Sequence, residues 1–399
     1  MSRISVFFLA GSALALGARA ETSPLSVLSE GYGIEVSGNS ARERAMGDAG
    51  LASVTKQGPS ILNPSRTAFN EKTSFSATFD SDLDWLQDKD NSNRSTTFLI
   101  PDIALNFQGR IPVNVGLYYR QRFHRNFSFT PLVPSSPDAV QTFTTEGGLY
   151  ELAATLAYAP KPWIALALGY NFLIGRERAI ESATFDQNSS NGDLFNGVNL
   201  KGDTVSTRSS GGYPSLSMTV RQPKWSLAAA AGLEATLDRT QTRSVTAMTS
   251  ADKATATRTL PWTAQIGGAY KPVPNQILAL DIGYEAWEEL SGTQLNPAFK
   301  IGGGYEFQGK GGAYEAYYSK VAWRGGMGYE KLYLGETDLY YATLGTGLPL
   351  GRRGNLLDIA LKYGHRGDLE NNLWTEDFLK VSVTLTGVSV WGQPIRKRR

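Results

Sequence analysis

From about residue 72 to the C-terminal region, apolar and polar side chains alternate at period two through one long segment after another. In Pro112–Arg122, Val113, Val115, Leu117 and Tyr119 share one face, and Asn114, Gly116, Tyr118, Arg120 and Arg122 share the other. Leu278, Leu280, Ile282 and Tyr284 likewise oppose Ala279, Asp281 and Gly283. Phe299, Ile301, Gly303, Tyr305 and Phe307 oppose Lys300, Gly302, Gly304 and Glu306, and Leu357, Ile359, Leu361 and Tyr363 oppose Asp358, Ala360, Lys362 and Gly364. Period two is the mark of a strand with two unlike faces, so the fold class is all-β. A helical membrane protein is excluded, because beyond residue 20 no apolar run is long enough to span a bilayer.

Soluble sandwiches alternate too, so three further features choose the architecture. Many apolar faces end in an aromatic residue, as at Tyr119, Tyr158, Tyr170, Tyr270, Tyr284, Tyr305 and Tyr363, where an interfacial girdle would lie. Several runs reach about 10 to 15 residues, enough for tilted spanning strands. Connections alternate between tight turns, at Gln108-Gly109-Arg110 and Pro160-Lys161-Pro162, and long polar stretches, at Arg125–Glu146 and Glu181–Ser210. Short periplasmic turns opposite long external loops give that rhythm. The segments number about 14, which predicts a transmembrane antiparallel barrel with one lipid face and a small-residue, polar lumen.

The N-terminal 20 residues have the layout of a secretory leader: Arg3, an apolar run from Val6 to Leu16, then Ala18-Arg19-Ala20 before Glu21. Export to the outer membrane follows. The chain has no cysteine, so disulfides, thiol catalysis and cysteine-ligated metals are excluded together. With 39 basic and 37 acidic residues the charge is near balance, and nucleic acid is excluded as a partner. His124 and His365 are the only histidines. Neither lies in a His-Glu-x-x-His pattern or beside a nucleophile motif, so no enzyme activity and no cofactor is predicted.

Residues 21–70 break the alternation. Small residues and paired charges in Ala41–Ala52, followed by Asn63-Pro64, suit a segment packed inside a polar barrel. The predicted organisation is a leader over 1–20, a plug over 21–70, a barrel over 71–392 and a basic tail over 393–399.

The stretch Ala45-Met46-Gly47-Asp48-Ala49-Gly50-Leu51-Ala52, with Asn63-Pro64 after it, resembles the N-terminal signature of the FadL family of outer-membrane transporters for long-chain fatty acids and hydrocarbons. Leu260–Gly267 through Asp281, Tyr284 and Trp287, and Trp323–Tyr329 followed by Gly345–Leu350, are similar to later parts of that family. The resemblance implies a 14-stranded barrel with an N-terminal hatch, which passes hydrophobic ligands through an opening in its wall. The ending Trp391–Arg399 is reminiscent of a second branch, the PorV-like barrels of a secretion apparatus, which bind protein partners instead.

A fatty acid needs an apolar groove with a cation near one end. The candidates are Arg42 and Arg44 in the plug and Arg120, Arg122, Lys300 and Lys362 on lumen faces, with Met46, Gly47, Gly50, Asn63 and Pro64 as the plug motif. The same cations alternatively pair with lumen acids such as Asp281, Glu306 and Asp358, fastening plug to wall. Predicted partners are outer-membrane lipid, a hydrophobic small molecule, and proteins at the periplasmic or external face.

Overall fold

The computed structural model describes residues 19–20, 32–53, 58–70, 72–89, 92–108, 113–130, 139–185, 199–245, 252–290, 295–309, 316–334, 337–350, 354–370, 372 and 374–389. The leader, apart from its last two residues, and the basic tail lie outside that set.

Fourteen strands form the barrel. In chain order they are β1 Thr73–Asp88, β2 Ser92–Gln108, β3 Val113–His124, β4 Ala139–Lys161, β5 Ile164–Phe185 and β6 Asn199–Arg221. β7 is interrupted (Trp225–Gly232 and Ala235–Val245), as is β8 (Asp252–Leu260 and Thr263–Tyr270). β9 Gln276–Glu285, β10 Ala298–Phe307, β11 Ala322–Lys331, β12 Asp338–Leu350, β13 Asn355–Asp368 and β14 Trp374–Ser389 complete the wall. Each strand pairs antiparallel with the next. β14 closes on β1 from Trp374↔Asp88 to Ser389↔Thr73, so the cylinder starts and ends on one rim. That rim carries the short turns and is the periplasmic one.

The alternation read in the sequence becomes the inside and outside of this wall. Phe98 is 76% exposed, Met327 71%, Leu168 69% and Leu344 67%. Water would not tolerate a continuous belt of such side chains, and hydrocarbon does. Their neighbours Asn114, Arg120, Glu151, Thr219, Glu306 and Asp358 face the lumen and are buried. The chain is an outer-membrane β-barrel.

Four segments depart from the sequence reading. The stretch 181–210, read as a loop, is strand at both ends: β5 runs to Phe185 and β6 begins at Asn199. The stretch 125–146 similarly holds a short strand, Phe127–Thr130, and the start of β4. The extensions of β5 and β6 are rich in Thr and Ser with no continuous apolar face, and Phe127–Thr130 is only four residues long, so these pieces lack the sustained periodicity used to find the others, although Thr suits a pleated sheet. β7 and β8 are not single runs. Against β6 the partner of β7 shifts by one residue between Gly232↔Ser215 and Leu237↔Gly211, a bulge at Leu233-Glu234. Pro261 interrupts β8 where its missing N–H cannot join a ladder.

The plug fills the lumen. It descends from Tyr32 near the external mouth, through a two-residue strand, Ile34–Glu35, and one helical turn, α1 Ala41–Arg44, to a 3-10 helix, Pro64–Phe69, at the periplasmic end. Ser40 starts α1 by capping: its backbone N–H donates to the Glu43 carboxylate at 3.0 Å. Above the plug an apolar cluster closes the mouth, with Trp287 and Phe123 fully buried and Trp287 stacked on Tyr333 at 4.2 Å.

Candidate functional site: the plug, its wall and the parting between β2 and β3

The Ala45–Ala52 motif lies against the wall with almost no side chain between the two backbones. Gly47 adopts φ +69°, a conformation that a Cβ disfavours. A Cβ placed on Gly302, Gly304 or Gly326 would run into the Met46–Gly47 backbone. Glycine is therefore present on both sides of one contact. The Gly47 N–H donates to Thr343 Oγ1 at 2.9 Å, and the Tyr341 hydroxyl donates to the Gly47 carbonyl at 3.3 Å. Met46 is fully buried in an apolar cluster with Ala269, Ile277 and Ala279. The N–H groups of Gly50 and Leu51 both donate to Asp281 Oδ2 at 2.7 Å. Asn63 donates to the Leu51 carbonyl at 2.7 Å and to Thr219 Oγ1 at 2.9 Å, and Pro64 opens the 3-10 helix.

Five of the six candidate cations are ion-paired. Arg42 reaches Glu306 at 2.7 Å, and Arg324 links Glu306 (2.8 Å) to Asp358 (2.7 Å). Arg44, fully buried, pairs with Asp80 and donates to Ser382 Oγ and the Ser37 carbonyl. Lys362 holds Asp48 at 2.7 Å. Arg120 pairs with Glu151 at 2.8 Å, while Arg122 stands 3.5 Å from both Glu35 and Glu285. Plug and wall are thus fastened by Arg42, Arg44 and Lys362, as the pairing alternative anticipates for Glu306. Asp281 differs from that alternative: it accepts backbone N–H groups of the plug instead of meeting a cation.

Charge on the plug follows these contacts. Burial alone would raise the Asp48 carboxyl, but Lys362 outweighs it, with Arg44 behind, and brings it down to about 2. Asp80 similarly overcomes burial and raises the Arg44 guanidinium above its ordinary value. Glu35 goes the other way. Burial and the nearby Glu285 charge push its carboxyl up to about 7, against the pull of Arg122 and Lys300.

Lys300 is the exception among the six. It lies within electrostatic range of Glu35 and Glu285, and it lines both of the lumen cavities described here. The larger cavity, about 190 Å³, lies above the plug, and the smaller, about 80 Å³, lies beside it. Glu35, Ser37 and Glu285 also border both cavities. Glu35, Asp48, Asp80, Glu151 and Glu285 were not singled out from the sequence. For the last three, the signal was available in strand parity, since each falls on the lumen side of its strand.

Beside the larger cavity the wall parts. β2 and β3 are paired from Gln108↔Asn114 up to Asp102↔Arg120, and no higher pair joins them among the described residues. β2 continues upward on β1 as far as Ser92, and β3 continues upward on β4. Register shifts lie next to the divergence, between Thr78 and Asp80 in β1 and between Gln121 and Phe123 in β3. Pro101, with no N–H to donate, occupies the point of separation on β2. The plug strand takes up the freed edge of β3, with Ile34↔His124, Glu35↔Phe123 and Val36 N–H donating to the Arg122 carbonyl at 3.0 Å. The cavity behind is bounded by Ser95, Thr97 and Leu99 of β2, by His124, and by Ile34 and Val36 of the plug. His124 is therefore part of this boundary, while His365 sits on β13 with Nδ1 2.9 Å from Asp377.

Solved structures share this architecture. A Pseudomonas aeruginosa FadL homologue matches 89% of this chain and 99% of its own, at 13% identity and a TM-score of 0.62. The Pseudomonas putida toluene transporter TodX matches 88% of this chain and 98% of its own, at 11% identity and a TM-score of 0.55. The CymD monoaromatic hydrocarbon channel matches 88% and 99%, at 11% identity and 0.53. Such identities establish the fold and no more. No curated protein matches the sequence. The family model that does match is BamG, over residues 1–396, and the chain belongs to the BamG family.

Proposed function

We propose that this barrel passes hydrophobic small molecules across the outer membrane by a lateral route, with the plug as the gate. The observation that carries this reading is the parting of β2 and β3, backed by a cavity and occupied by the plug strand Ile34–Glu35. An unpaired sheet edge at membrane depth is costly unless something covers it or it borders a cavity, and here both conditions hold. The neighbouring structures, named as a FadL homologue, a toluene transporter and a monoaromatic hydrocarbon channel, support the same reading. In this mechanism a ligand enters the upper cavity, displaces the plug strand from β3 and leaves between β2 and β3. Lys300 orients a ligand that carries a carboxylate. Arg120 and Arg122 set the local field while engaged with Glu151, Glu35 and Glu285, and Arg42, Arg44 and Lys362 hold the lower plug in place.

The chain has no native cysteine, which makes the test direct. A disulfide between Ile34→Cys and His124→Cys, which face each other in the ladder, locks the plug strand to β3. Oxidised cells should fail to take up a long-chain fatty acid or toluene, and reduction should restore uptake. Lys300→Gln should weaken binding of the fatty acid and leave toluene unaffected. Uptake through the oxidised variant at the unlocked rate rejects the gate.

A second reading has its own observation. β4, β5 and β6 are 23, 22 and 23 residues long, about twice what a tilted strand needs to span. The excess forms a tall polar sheet above the external surface, suited to binding a protein as in PorV-like barrels. Stoichiometric recovery of a protein partner, with no ligand binding by the purified barrel, favours this reading over transport.

A further inference from the structure

We infer that the outside of the wall, at β7, β8 and β9, carries a binding site for one anionic phospholipid of the periplasmic leaflet. The inference is independent of whether the barrel transports anything.

The site begins with a missing side chain. Gly268 faces outward on β8 and is paired with Leu227 on β7 and Leu280 on β9. Both leucines project from the wall, so the glycine leaves a slot between them. The slot spans two interstrand spacings, about 10 Å from backbone to backbone. A Cβ on Gly268 would meet only Leu227 Cδ2, at 3.5 Å, so the space is open and not filled by the barrel itself. One level lower Tyr270 pairs with Trp225 and Leu278. These six side-chain positions bound an apolar groove of about 470 Å³ on the lipid-facing surface. Hydrocarbon is the medium there, and a slot one chain wide favours an aligned acyl chain over a mobile one.

The charge just below the groove decides which lipid. Trp225 and Tyr270 end their strands at the periplasmic rim, where amphipathic rings mark the headgroup level. The turns 158–164, 221–225 and 270–276 lie side by side: Arg221 N–H donates to the Trp163 carbonyl and Lys271 N–H to the Lys224 carbonyl, each at 2.7 Å. Across these three turns the sequence holds Lys161, Arg221, Lys224 and Lys271 and no acidic residue. Lys161 and Lys224 are exposed, each beside an outward tryptophan, with the Lys161 ammonium 5.5 Å from the centre of the Trp163 ring. Lys271 is set apart: it follows the outward Tyr270 and is only half-exposed, and burial, with Arg42 and Arg221 adding to it, depresses its pKa against the pull of the lumen Glu306. Lys224, on the turn into β7 beside the slot, and Lys161, on the neighbouring turn between β4 and β5, are exposed cations with no ion pair among the described residues, and together at this rim they complement a phosphate headgroup. The lysines would hold the headgroup, Trp163 and Trp225 would frame it, and one chain would lie over Gly268.

Native mass spectrometry of the full-length barrel, delipidated in detergent and titrated with phosphatidylglycerol or phosphatidylcholine, tests this. Wild type should bind one phosphatidylglycerol per barrel in preference to phosphatidylcholine. Lys161→Gln with Lys224→Gln should weaken phosphatidylglycerol binding about thirtyfold and abolish the preference. Gly268→Leu, which projects into lipid with no clash, should lower binding of both lipids while the heat-modifiable band on a gel reports a folded barrel. Equal binding of the two lipids by wild type, or no effect of Gly268→Leu, overturns the site. A wild-type dimer that Gly268→Leu dissociates also overturns it, because the groove then belongs to a second barrel.

Discussion

Arg44 is the residue at which the attachment of plug to wall is most sharply tested. Its guanidinium is fully buried, pairs with the buried Asp80, and donates to Ser382 Oγ at 2.8 Å and the Ser37 carbonyl at 2.9 Å. Arg44→Ala removes a cation and leaves Asp80 uncompensated, which for a buried pair costs about 3–5 kcal/mol. Lys380, 4.0 Å from Asp80, relieves part of this, so the lower half of the range is expected. That energy falls on the docked state of the plug, because the barrel ladder does not pass through Arg44. Hydrogen exchange reads it directly. The Arg44 and Ala45 amides are bonded to Ser40 and Ala41 carbonyls, and the Gly47 amide to Thr343. If they exchange by plug opening, their protection should fall by about two orders of magnitude or more, with β12–β14 amides unchanged. Arg44→Met combined with Asp80→Leu removes both charges and should recover most of the protection, since two apolar side chains replace a pair that was costly to desolvate. If the double variant exchanges as fast as the single one, the loss is due to packing and not to an orphaned charge, and the electrostatic account of the plug is wrong.

Other perturbations probe different levels of the same assembly. Glu35 has its docked pKa raised from 4.5 to about 7, so its contribution to docking is full below about pH 4.5 and lost as pH rises through about 7. Thiol labelling of Val36→Cys, taken relative to that of a free thiol at the same pH, should therefore increase with pH across that window, and Glu35→Gln should flatten the curve. Asp48 has the opposite sign. Its carboxyl is held at about 2, so its contribution is present above its ordinary value of 3.8 and is lost only as pH falls towards 2, leaving labelling at neutral pH insensitive to it. Gly47→Ala must adopt φ +69° and press on the Gly303 and Met327 backbone. A cost of at least about 1–2 kcal/mol for the left-handed conformation should appear as faster exchange of the Met46–Asp48 amides. Trp287→Ala empties the cluster that closes the mouth and should destabilise it by about 3–5 kcal/mol, read as entry of a water-soluble quencher to a fluorophore on Ser37→Cys.

The sequence made the wall legible because each spanning strand repeats one physical demand, apolar outward and polar inward, at every second residue. Val113 to Arg122 and Leu357 to Gly364 could be assigned to faces without a structure for that reason. The same rule was silent on the Thr-rich extensions of β5 and β6, where polar residues occupy both parities and no contrast exists to read. It was also silent on pairing across the lumen. Parity puts Glu306 and Arg42 inside, but their 2.7 Å contact depends on where a plug with no period of its own comes to rest. What fixes that resting place is glycine: the Met46–Gly47 backbone meets the wall at Gly302, Gly304 and Gly326, and the contact is close enough to set the height of the plug. In a strand the glycines of Gly302–Gly304 look like weak points; opposite Gly47 they are the seat. The parting of β2 and β3 follows from the same seat. With the plug fixed at Gly47, the eleven residues back to Val36 carry the chain upward along β3, and the plug strand occupies the edge from which β2 has withdrawn. The plug strand and its anchor are therefore one continuous segment, and loosening the anchor should reach the strand without any change in the wall.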